Sequence, residues 1–193
     1  MTTPNCRACG TDLKHTLVDL GLSPLANSYV PLDQADQTDP LYPLHARVCS
    51  NCFLVQVDDV VPPSDIFSHY AYFSSYSSSW VEHARNYCKT ATERLGLGKD
   101  SFVVEVASND GYLLQHFVAK SIPVLGVEPA ANVAEEAEKK GVTSLVAFFG
   151  KETAEKVVVE HGHANLTAAN NVLAHVPDIN DFVSGFAAVL ADD

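Results

Sequence analysis

Four of the five cysteines form two Cys-x-x-Cys pairs, Cys6 with Cys9 and Cys49 with Cys52. In such a pair the turn directs both sulfurs at one ion, and two pairs complete a tetrahedral site of four thiolates. Zinc is favoured, and a rubredoxin-like iron site has the same geometry. Four thiolates leave no open position for water or substrate, so we expect the metal to be structural. Ordinary reduced thiols are the alternative.

A second candidate site is the stretch 102–114, where a β-branched run continues into a glycine-containing turn and a helix. Its pattern is Glu-x-Ala-x-Asn-x-Gly, formed by Glu105, Ala107, Asn109 and Gly111. A strand, a turn and a helix N-terminus in this order are typical of a nucleotide-type cofactor site. An NAD site needs glycines at the first two turn positions, which here are alanine and asparagine, so a nicotinamide enzyme is the weakest candidate.

The same pattern resembles a degenerate acid-x-Gly-x-Gly-x-Gly loop of class I S-adenosylmethionine (SAM) methyltransferases. A sulfonium cofactor has no pyrophosphate, so bulkier residues than glycine are tolerable in its loop. By this resemblance, Asn109 and Gly111 bring the backbone close to the methionine part of the cofactor, and Ala107 is a further predicted cofactor residue. Glu105 either holds the amides of the loop or reaches the amino group of the cofactor.

Further cofactor residues are expected at the ends of the next strands. Glu128 follows the turn by about twenty residues, where a carboxylate accepts both ribose hydroxyls of an adenosine. The alternative is a solvated acid at a strand end. Pro129 belongs to the same predicted set, and Phe149, at the end of the third predicted strand, either flanks an adenine or is a core residue. Asn170, at the end of the fourth predicted strand, completes the set, because ligands bind outside the carboxyl ends of such strands.

Two residues are candidates for catalysis. His175 follows the fourth predicted strand and can accept a proton or hold the substrate, with a structural histidine as the alternative. Tyr76 can direct its hydroxyl at a substrate carbonyl or at the transferred methyl group. It lies with Tyr72, a predicted cofactor residue, in an aromatic and hydroxyl-rich stretch, residues 66–79. That stretch is either a lid over the cofactor or a solvated linker packed on the following helix.

From about residue 100 onward, strands and helices alternate, which predicts right-handed β-α-β units on a parallel sheet. The predicted strands are 103–107, 124–128, 145–149 and 166–172, and the predicted helices are 112–119, 132–140, 151–160 and 179–190. Before them, Ser79 and Glu82 predict a capping box for a helix that ends at Gly96 and Gly98. The alternation in Leu54–Val57 predicts a half-buried strand.

We therefore expect an α/β protein in three parts: a four-cysteine zinc-binding domain at 1–70, a lid loop and linker helix at 71–98, and a Rossmann-like SAM-binding domain from 99 to 193. The net charge of −12 argues against a nucleic-acid partner, which would need clustered lysine and arginine. No run of eighteen apolar residues and no signal peptide are visible, so we expect a cytoplasmic protein without a membrane partner.

Several segments together resemble the SAM-dependent NDP-deoxysugar C-methyltransferase family of antibiotic deoxysugar biosynthesis. The similarity runs along the whole chain and is specific in combination, because Cys pairs rarely precede a SAM loop. The segments that carry it are the two Cys pairs, Leu20–Asn27, Tyr72–Ser77, Val104–Leu113, Gly126–Pro129 and Asn171–His175.

The resemblance implies SAM and structural Zn²⁺ as cofactors and an NDP-sugar, commonly a dTDP-4-keto-deoxysugar, as substrate. A base removes the proton next to the C-4 ketone, and C-3 of the resulting enolate takes the methyl group. Family chains are longer and have a third, C-terminal domain, so we expect this chain to be an N-terminal portion, inactive alone, of a monomeric enzyme. The general base of the family lies in a later stretch and has no matching position here.

Two alternatives stay open. One is a SAM-dependent O- or N-methyltransferase of another small molecule. The other is a zinc-ribbon binding module whose α/β part is a degenerate scaffold without a cofactor.

Overall fold

A computed structural model describes residues 4–58 and 61–191. The chain divides into two compact units, Met1–Ile66 with Ala174–Asn180 and Phe67–Leu173 with Asp181–Asp193. The predicted lid loop and linker helix, residues 71–98, thus belong to the second unit. The boundaries that we placed at residues 70 and 98 stay predictions.

The first unit contains a three-stranded antiparallel sheet in the order β1-β2-β3. The strands are β1 His15–Ser23, β2 Tyr42–Val48 and β3 Val55–Val57. Both faces of β1 are largely exposed to solvent. The buried cluster of this unit is small and consists of Cys6, Leu13 and Cys49, with Ala8 and Leu54 packed against it. Since so little apolar surface is buried, this unit depends on its cysteine cluster for stability.

Strand β3 is half-buried, as predicted, but its polar residue faces the interior and its two valines face the solvent. Gln56 is buried, whereas Val55 and Val57 are 52% and 41% exposed. The Gln56 amide explains this orientation, because it donates to Cys6 Sγ at 3.3 Å and accepts from the Arg7 backbone N–H at 3.0 Å. The cysteine cluster, rather than an apolar core, fixes the register of this strand.

The second unit contains a parallel sheet in the order β6-β5-β4-β7. Its elements alternate along the chain as predicted. They are α2 Ser78–Leu95, β4 Val103–Val106, α3 Gln115–Val118, β5 Val124–Val127, α4 Ala131–Glu138, β6 Ser144–Leu145, α5 Lys151–His161, β7 Leu166–Ala169 and α6 Ile179–Val189. The short helix α1 Pro63–Phe67 precedes them in the chain, and all of it except Phe67 belongs to the first unit. This architecture confirms the predicted α/β fold class.

Two apolar clusters hold the second unit together. One joins α2 to the turn and helix after β4, through Cys88, Leu113 and Phe117, all almost fully buried. The other contains β4, β5 and α5, through Val104, Leu125 and other residues. Strand β4 is buried along its whole length, so its carboxyl end, where the predicted cofactor turn begins, is anchored from both sides.

The capping box predicted at Ser79 and Glu82 is wrong. Helix α2 begins after Ser77, whose hydroxyl accepts a hydrogen bond from the Trp80 N–H at 3.2 Å. The Glu82 carboxylate instead pairs with the Arg85 guanidinium, with the shorter contact at 2.6 Å. The sequence offers a serine at each position 77–79, and spacing alone does not choose among them.

Three predicted segments are shorter in the structure by three or more residues at one end. Strand β6 ends at Leu145 rather than 149, β7 ends at Ala169 rather than 172, and α3 begins at Gln115 rather than 112. Phe149 leaves the strand because its ring packs against two phenylalanines of α6, Phe182 and Phe186, with ring centroids 5.6 and 5.0 Å away. Contacts of an aromatic ring between elements are not visible in a local pattern.

Within the described residues, no helix is long and apolar enough to cross a membrane.

Candidate cofactor and metal sites

The four paired cysteines come together as one cluster. Their sulfur atoms all lie within 4.8 Å of one another, with Cys6 Sγ 3.5 Å from Cys52 Sγ and Cys9 Sγ 3.6 Å from Cys49 Sγ. In a tetrahedral site with metal–sulfur bonds of about 2.3 Å, neighbouring sulfurs are about 3.8 Å apart. The sulfur set therefore fits a Zn²⁺ ion with four thiolate ligands.

Hydrogen bonds around the cluster favour thiolates. Thr11 Oγ1 lies 3.3 Å from Cys9 Sγ, and this contact is the main cause that lowers the pKa of Cys9 to about 5. Burial raises the pKa of Cys6, but the Gln56 amide and nearby backbone amides outweigh it, so the pKa is lowered. Cys52 differs from these two cysteines. The Leu54 amide lowers its pKa, but burial and the neighbouring sulfurs outweigh this effect and raise the pKa to about 12. A divalent cation removes this repulsion between sulfurs.

The predicted cofactor turn has a left-handed backbone at alternate positions. Ala107, Asn109 and Gly111 have φ of 54°, 51° and 74°. These are the three positions at which the SAM loop that this stretch resembles has glycine. A non-glycine residue at positive φ costs about 1–2 kcal/mol, and asparagine tolerates it better than most residues. The turn geometry is thus kept although two of the glycines are absent.

Close packing explains why glycine remains at the third position. A Cβ at Gly111 would lie 3.1 Å from Val142 Cγ2 and 3.2 Å from Ala137 Cβ. The Ala137 residue belongs to α4, so this glycine lets the turn approach the helix after β5. The same requirement applies on β5, where a Cβ at Gly126 would collide with Ser108 Oγ of the turn.

Glu105 is a fully buried carboxyl group at the end of β4. Its Oε1 accepts from Asn170 Nδ2 at 3.4 Å, whereas its Oε2 has no hydrogen-bond partner among the described residues. Burial raises the pKa of Glu105 well above its usual range, the nearby Tyr112 and Asn170 side chains oppose this, and Glu128 and Asp110 raise it further. The loop amides do not hold this carboxyl, so of the two predicted roles its orphan oxygen favours contact with the cofactor.

Glu128 follows β5 and is buried with 5% exposure. Its two oxygens accept hydrogen bonds from the Asn109 N–H and the Ala130 N–H, each at 2.9 Å. Burial raises the pKa of Glu128, and the hydrogen bonds from these two amides offset only part of this rise. A carboxylate has about four acceptor positions, so two remain for the hydroxyls of a ribose. The alternative of a solvated acid is wrong, because the side chain is buried.

Residues 70–76, which we call the aromatic loop, are fastened to the turn and to α4 by side chains. Asn109 Oδ1 accepts from the Ser74 N–H at 2.8 Å, and Asn109 Nδ2 donates to the Tyr72 carbonyl at 3.0 Å. Asn132 makes the same kind of pair with the Tyr70 backbone, at 3.1 and 2.8 Å. The backbone of the loop is therefore held by side chains of the turn and of α4.

The remaining predicted site residues lie at several places. Tyr76 is 86% exposed, with its ring 5.6 Å from that of Phe73, and Tyr72 is 52% exposed within the same loop. Pro129 is half-buried next to Glu128, and Asn170 contacts Glu105. Their roles stay predictions.

Two further predicted site residues, His175 and Phe149, lie in other parts of the structure than the cofactor turn. His175 ends the 3-10 turn Leu173–His175 and belongs to the segment that groups with the first unit. Phe149 lies in the aromatic cluster with Phe182 and Phe186, as the core alternative supposes. Their predicted contacts with substrate and adenine stay predictions.

Sequence reasoning missed the ion pair beside the turn. Asp110 is 3% exposed, and Lys140 Nζ lies 3.0 Å from its Oδ2 and 2.7 Å from Ser75 Oγ. The Ser75 N–H also donates to Asp110 Oδ2, at 3.2 Å. Asp110 lies within the cofactor-loop motif, between Asn109 and Gly111, so its position in the sequence is a signal that could have identified it. Lys140 looked like an ordinary cation at a helix C-terminus.

A cavity of about 590 Å³ lies at the opposite edge of the sheet, near the amino ends of β4 and β5. Its lining includes Lys99, Ser121, Pro123 and His161. It contains none of the buried acids of the turn, and ligands of parallel sheets bind at the carboxyl ends of strands. The candidate cofactor site is therefore the turn and not this cavity.

Two family models match the chain. Residues 80–193 match the model described as "Methyltransferase domain", and residues 6–67 match "Putative zinc binding domain". The chain belongs to the methyltransferase domain family. These matches confirm the predicted zinc-binding domain with its four cysteines and agree with the predicted cofactors, SAM and Zn²⁺.

A curated relative matches nearly the whole of this chain. The chain is 36% identical over 188 residues to C-methyltransferase NovU of Streptomyces niveus. The match covers 97% of this chain and 45% of that protein, so the chain spans less than half the length of this relative. The predicted resemblance to C-methyltransferases is confirmed.

Solved structures resemble this chain more distantly. Streptomyces venezuelae DesVI matches with a TM-score of 0.47 and 15% identity, covering 60% of this chain and 48% of that one. Magnesium protoporphyrin IX methyltransferase (ChlM) from Synechocystis PCC 6803, solved with bound SAM, matches with a TM-score of 0.44 and 16% identity, covering 58% and 53%. Nothing about function follows from similarities of this size.

Proposed function

We propose that this chain is the metal-binding and cofactor-binding portion of a SAM-dependent C-methyltransferase. The observation that carries the proposal is the carboxyl edge of the parallel sheet, where Glu105 and Glu128 flank a left-handed turn. Adenosine binding uses Glu128, whose free acceptor positions suit the two ribose hydroxyls. The orphan oxygen of Glu105 suits a positively charged amino group, since it lacks a partner and has no solvent. SAM supplies an electrophilic methyl group at this place.

The substrate that we propose is a dTDP-4-keto-deoxysugar, methylated at C-3. The sequence relationship to a C-methyltransferase supports carbon as the acceptor atom. The C-3 proton is acidic because the enolate is delocalised onto the C-4 ketone oxygen, so a base at the site is sufficient to generate the nucleophile. We propose Tyr76 and His175 as substrate-facing residues of the full-length monomer, whose general base lies in a later stretch.

A mass and position assay tests the methylation. The full-length protein is incubated with SAM and a dTDP-4-keto-deoxysugar, and we expect a product that is heavier by one methyl group, located on C-3 by NMR. A methyl group found on oxygen or nitrogen would reject carbon methylation in favour of an O- or N-methyltransferase. The chain 1–193 alone is expected to give no product.

Calorimetry with S-adenosylhomocysteine (SAH) tests the cofactor site by itself. Replacing Glu128 with Gln should weaken SAH binding about 10- to 100-fold, since hydrogen bonds to a charged group contribute about 1.5–3 kcal/mol. The matched control is Glu135→Gln, an exposed acid on α4, which should leave the affinity unchanged. A wild-type protein that binds NAD but not SAH would refute the assignment in favour of a nicotinamide site. One that binds neither would leave a zinc-ribbon module with a degenerate scaffold.

A further inference from the structure

Asn109 stands where its backbone conformation favours glycine. Its φ is 51° and its side chain is 7% exposed. A residue that is kept at positive φ despite this cost has a side chain whose contacts compensate. Here those contacts are the two hydrogen bonds to the aromatic loop, one to the Ser74 N–H and one to the Tyr72 carbonyl.

The backbone of the same residue contacts the candidate ribose acid. The Asn109 N–H donates to Glu128 Oε2 at 2.9 Å. A single residue thus connects the carboxylate that is proposed to bind adenosine with the loop that carries Tyr72 and Tyr76. Because both hydrogen bonds of its amide are with backbone atoms, Asn109 holds this part of the loop whatever side chains the loop carries.

Other contacts hold the ends of the loop without touching this carboxylate. Asn132 fixes Tyr70 at one end, and Lys140 reaches Ser75 Oγ at the other, at 2.7 Å. Asn109 holds the centre between them. Loss of the asparagine amide would therefore release residues 72–74 while the flanking contacts remain.

We propose that Asn109 is a positioning residue that couples the aromatic loop to the cofactor turn. This inference rests on the proposed function, in which Glu128 binds the ribose. Ligand bound at Glu128 holds the Asn109 backbone, and the Asn109 amide then holds the loop at residues 72–74. Since coupling between two sites is reciprocal, loosening the loop weakens cofactor binding by the factor by which the cofactor orders the loop.

The test compares Asn109→Gly with the wild type by hydrogen exchange and calorimetry on the full-length protein. Glycine adopts the same φ without strain, so the turn is kept while both amide hydrogen bonds are lost. We expect the amides of residues 72–74 to exchange about tenfold faster without ligand and SAH binding to weaken about tenfold, within the usual range of coupling. In the wild type, SAH should slow exchange in the loop, and in the variant it should not.

Asn27→Gly is the matched control, because Asn27 is an exposed asparagine with φ of 57° in the first unit. It changes backbone freedom in the same way and should leave loop exchange and SAH affinity unchanged. Asn132→Ala should speed exchange near Tyr70 while SAH still protects Ser74.

Two results would overturn the inference. One is unchanged loop exchange in Asn109→Gly, and the other is faster exchange with unaltered SAH affinity. A wild-type protein that binds no SAH would refute the proposed cofactor instead. In that case the exchange rates without ligand still decide whether Asn109 holds the loop.

Discussion

At the scale of single residues, the candidate site depends on groups placed where their environment is unfavourable. Glu105 is a carboxyl group without solvent, and Ala107 and Asn109 have positive φ. Each of these costs stability, and such costs are concentrated at functional sites. These unfavourable features therefore indicate that the turn binds a ligand.

The buried Glu105 should make stability depend on pH. Below its ordinary pKa, which is 4.5, the carboxyl is neutral both in the folded and in the unfolded protein. As the pH rises, the unfolded chain loses this proton while the folded one retains it, so wild-type stability falls until the raised folded pKa is passed. Glu105→Gln should remove this loss, and its advantage should grow by up to about 1 kcal/mol per pH unit.

Urea titrations of both proteins from about pH 5 to about pH 8 measure this effect. Glu138→Gln, an exposed acid on α4, is the control and should follow the wild-type curve. Parallel pH profiles for the wild type and Glu105→Gln would show that the buried carboxyl does not resist ionisation.

A methyl group at Gly111 should destabilise the protein by more than its backbone angle explains. Gly111→Ala introduces a Cβ at 3.1–3.3 Å from Val142 and Ala137, in addition to strain at a φ of 74°. Gly96→Ala is the matched control, since φ is 63° and no atom lies within 4 Å of the new Cβ. We expect a loss of about 1 kcal/mol for Gly96→Ala and of about 2–3 kcal/mol for Gly111→Ala in urea denaturation. Equal losses would mean that packing at the turn is loose.

At the scale of elements, hydrogen bonds to side chains decide where the aromatic loop lies and where α2 begins. The loop is bound by side chains far away in sequence, and α2 is capped by Ser77. The ring contact between Phe73 and Tyr76 joins residues that are close in sequence. The backbone of the loop is held instead by Asn109 and Asn132, which lie 35 or more residues later in the chain. Contacts across such distances are tertiary, so they determine the position of the loop without leaving a periodic signal.

The N-terminus of α2 offers a direct test of one serine against another. Ser77→Ala should cost about 1 kcal/mol, because the Trp80 N–H loses its acceptor. Ser79→Ala should change stability by only a few tenths of a kcal/mol, because alanine is a good residue inside a helix. Thermal denaturation of the two variants measures the difference. A larger loss for Ser79→Ala would restore the capping box that the sequence predicts.

At the scale of the whole chain, the two units differ in how much apolar surface stabilises them. The second unit has two apolar clusters, whereas the buried cluster of the first consists of two cysteines and one leucine. A small unit with so little buried apolar surface gains its folding free energy from metal binding.

Metal removal should therefore unfold the first unit selectively. We expect a strong chelator to abolish hydrogen-exchange protection of the β2 amides and to leave that of β4 and β5 within about twofold. Cys9→Ser should lower the metal content in the same way, whereas Cys88→Ala, which changes a cysteine outside the cluster, should not. Protection of β2 that survives complete metal loss would show that the sheet folds by itself.

The sequence by itself determined the metal cluster, the alternation of strands and helices, and the acids at the ends of β4 and β5. These features are local, since Cys-x-x-Cys spacing, apolar periodicity and a strand–turn–helix motif each lie within a few residues. Only the tertiary structure decided the orientation of Gln56, the packing of Phe149 on α6 and the attachment of the aromatic loop through Asn109 and Lys140. Each of these depends on which distant groups meet, and a buried amide or ring is oriented by its partners rather than by its neighbours in sequence.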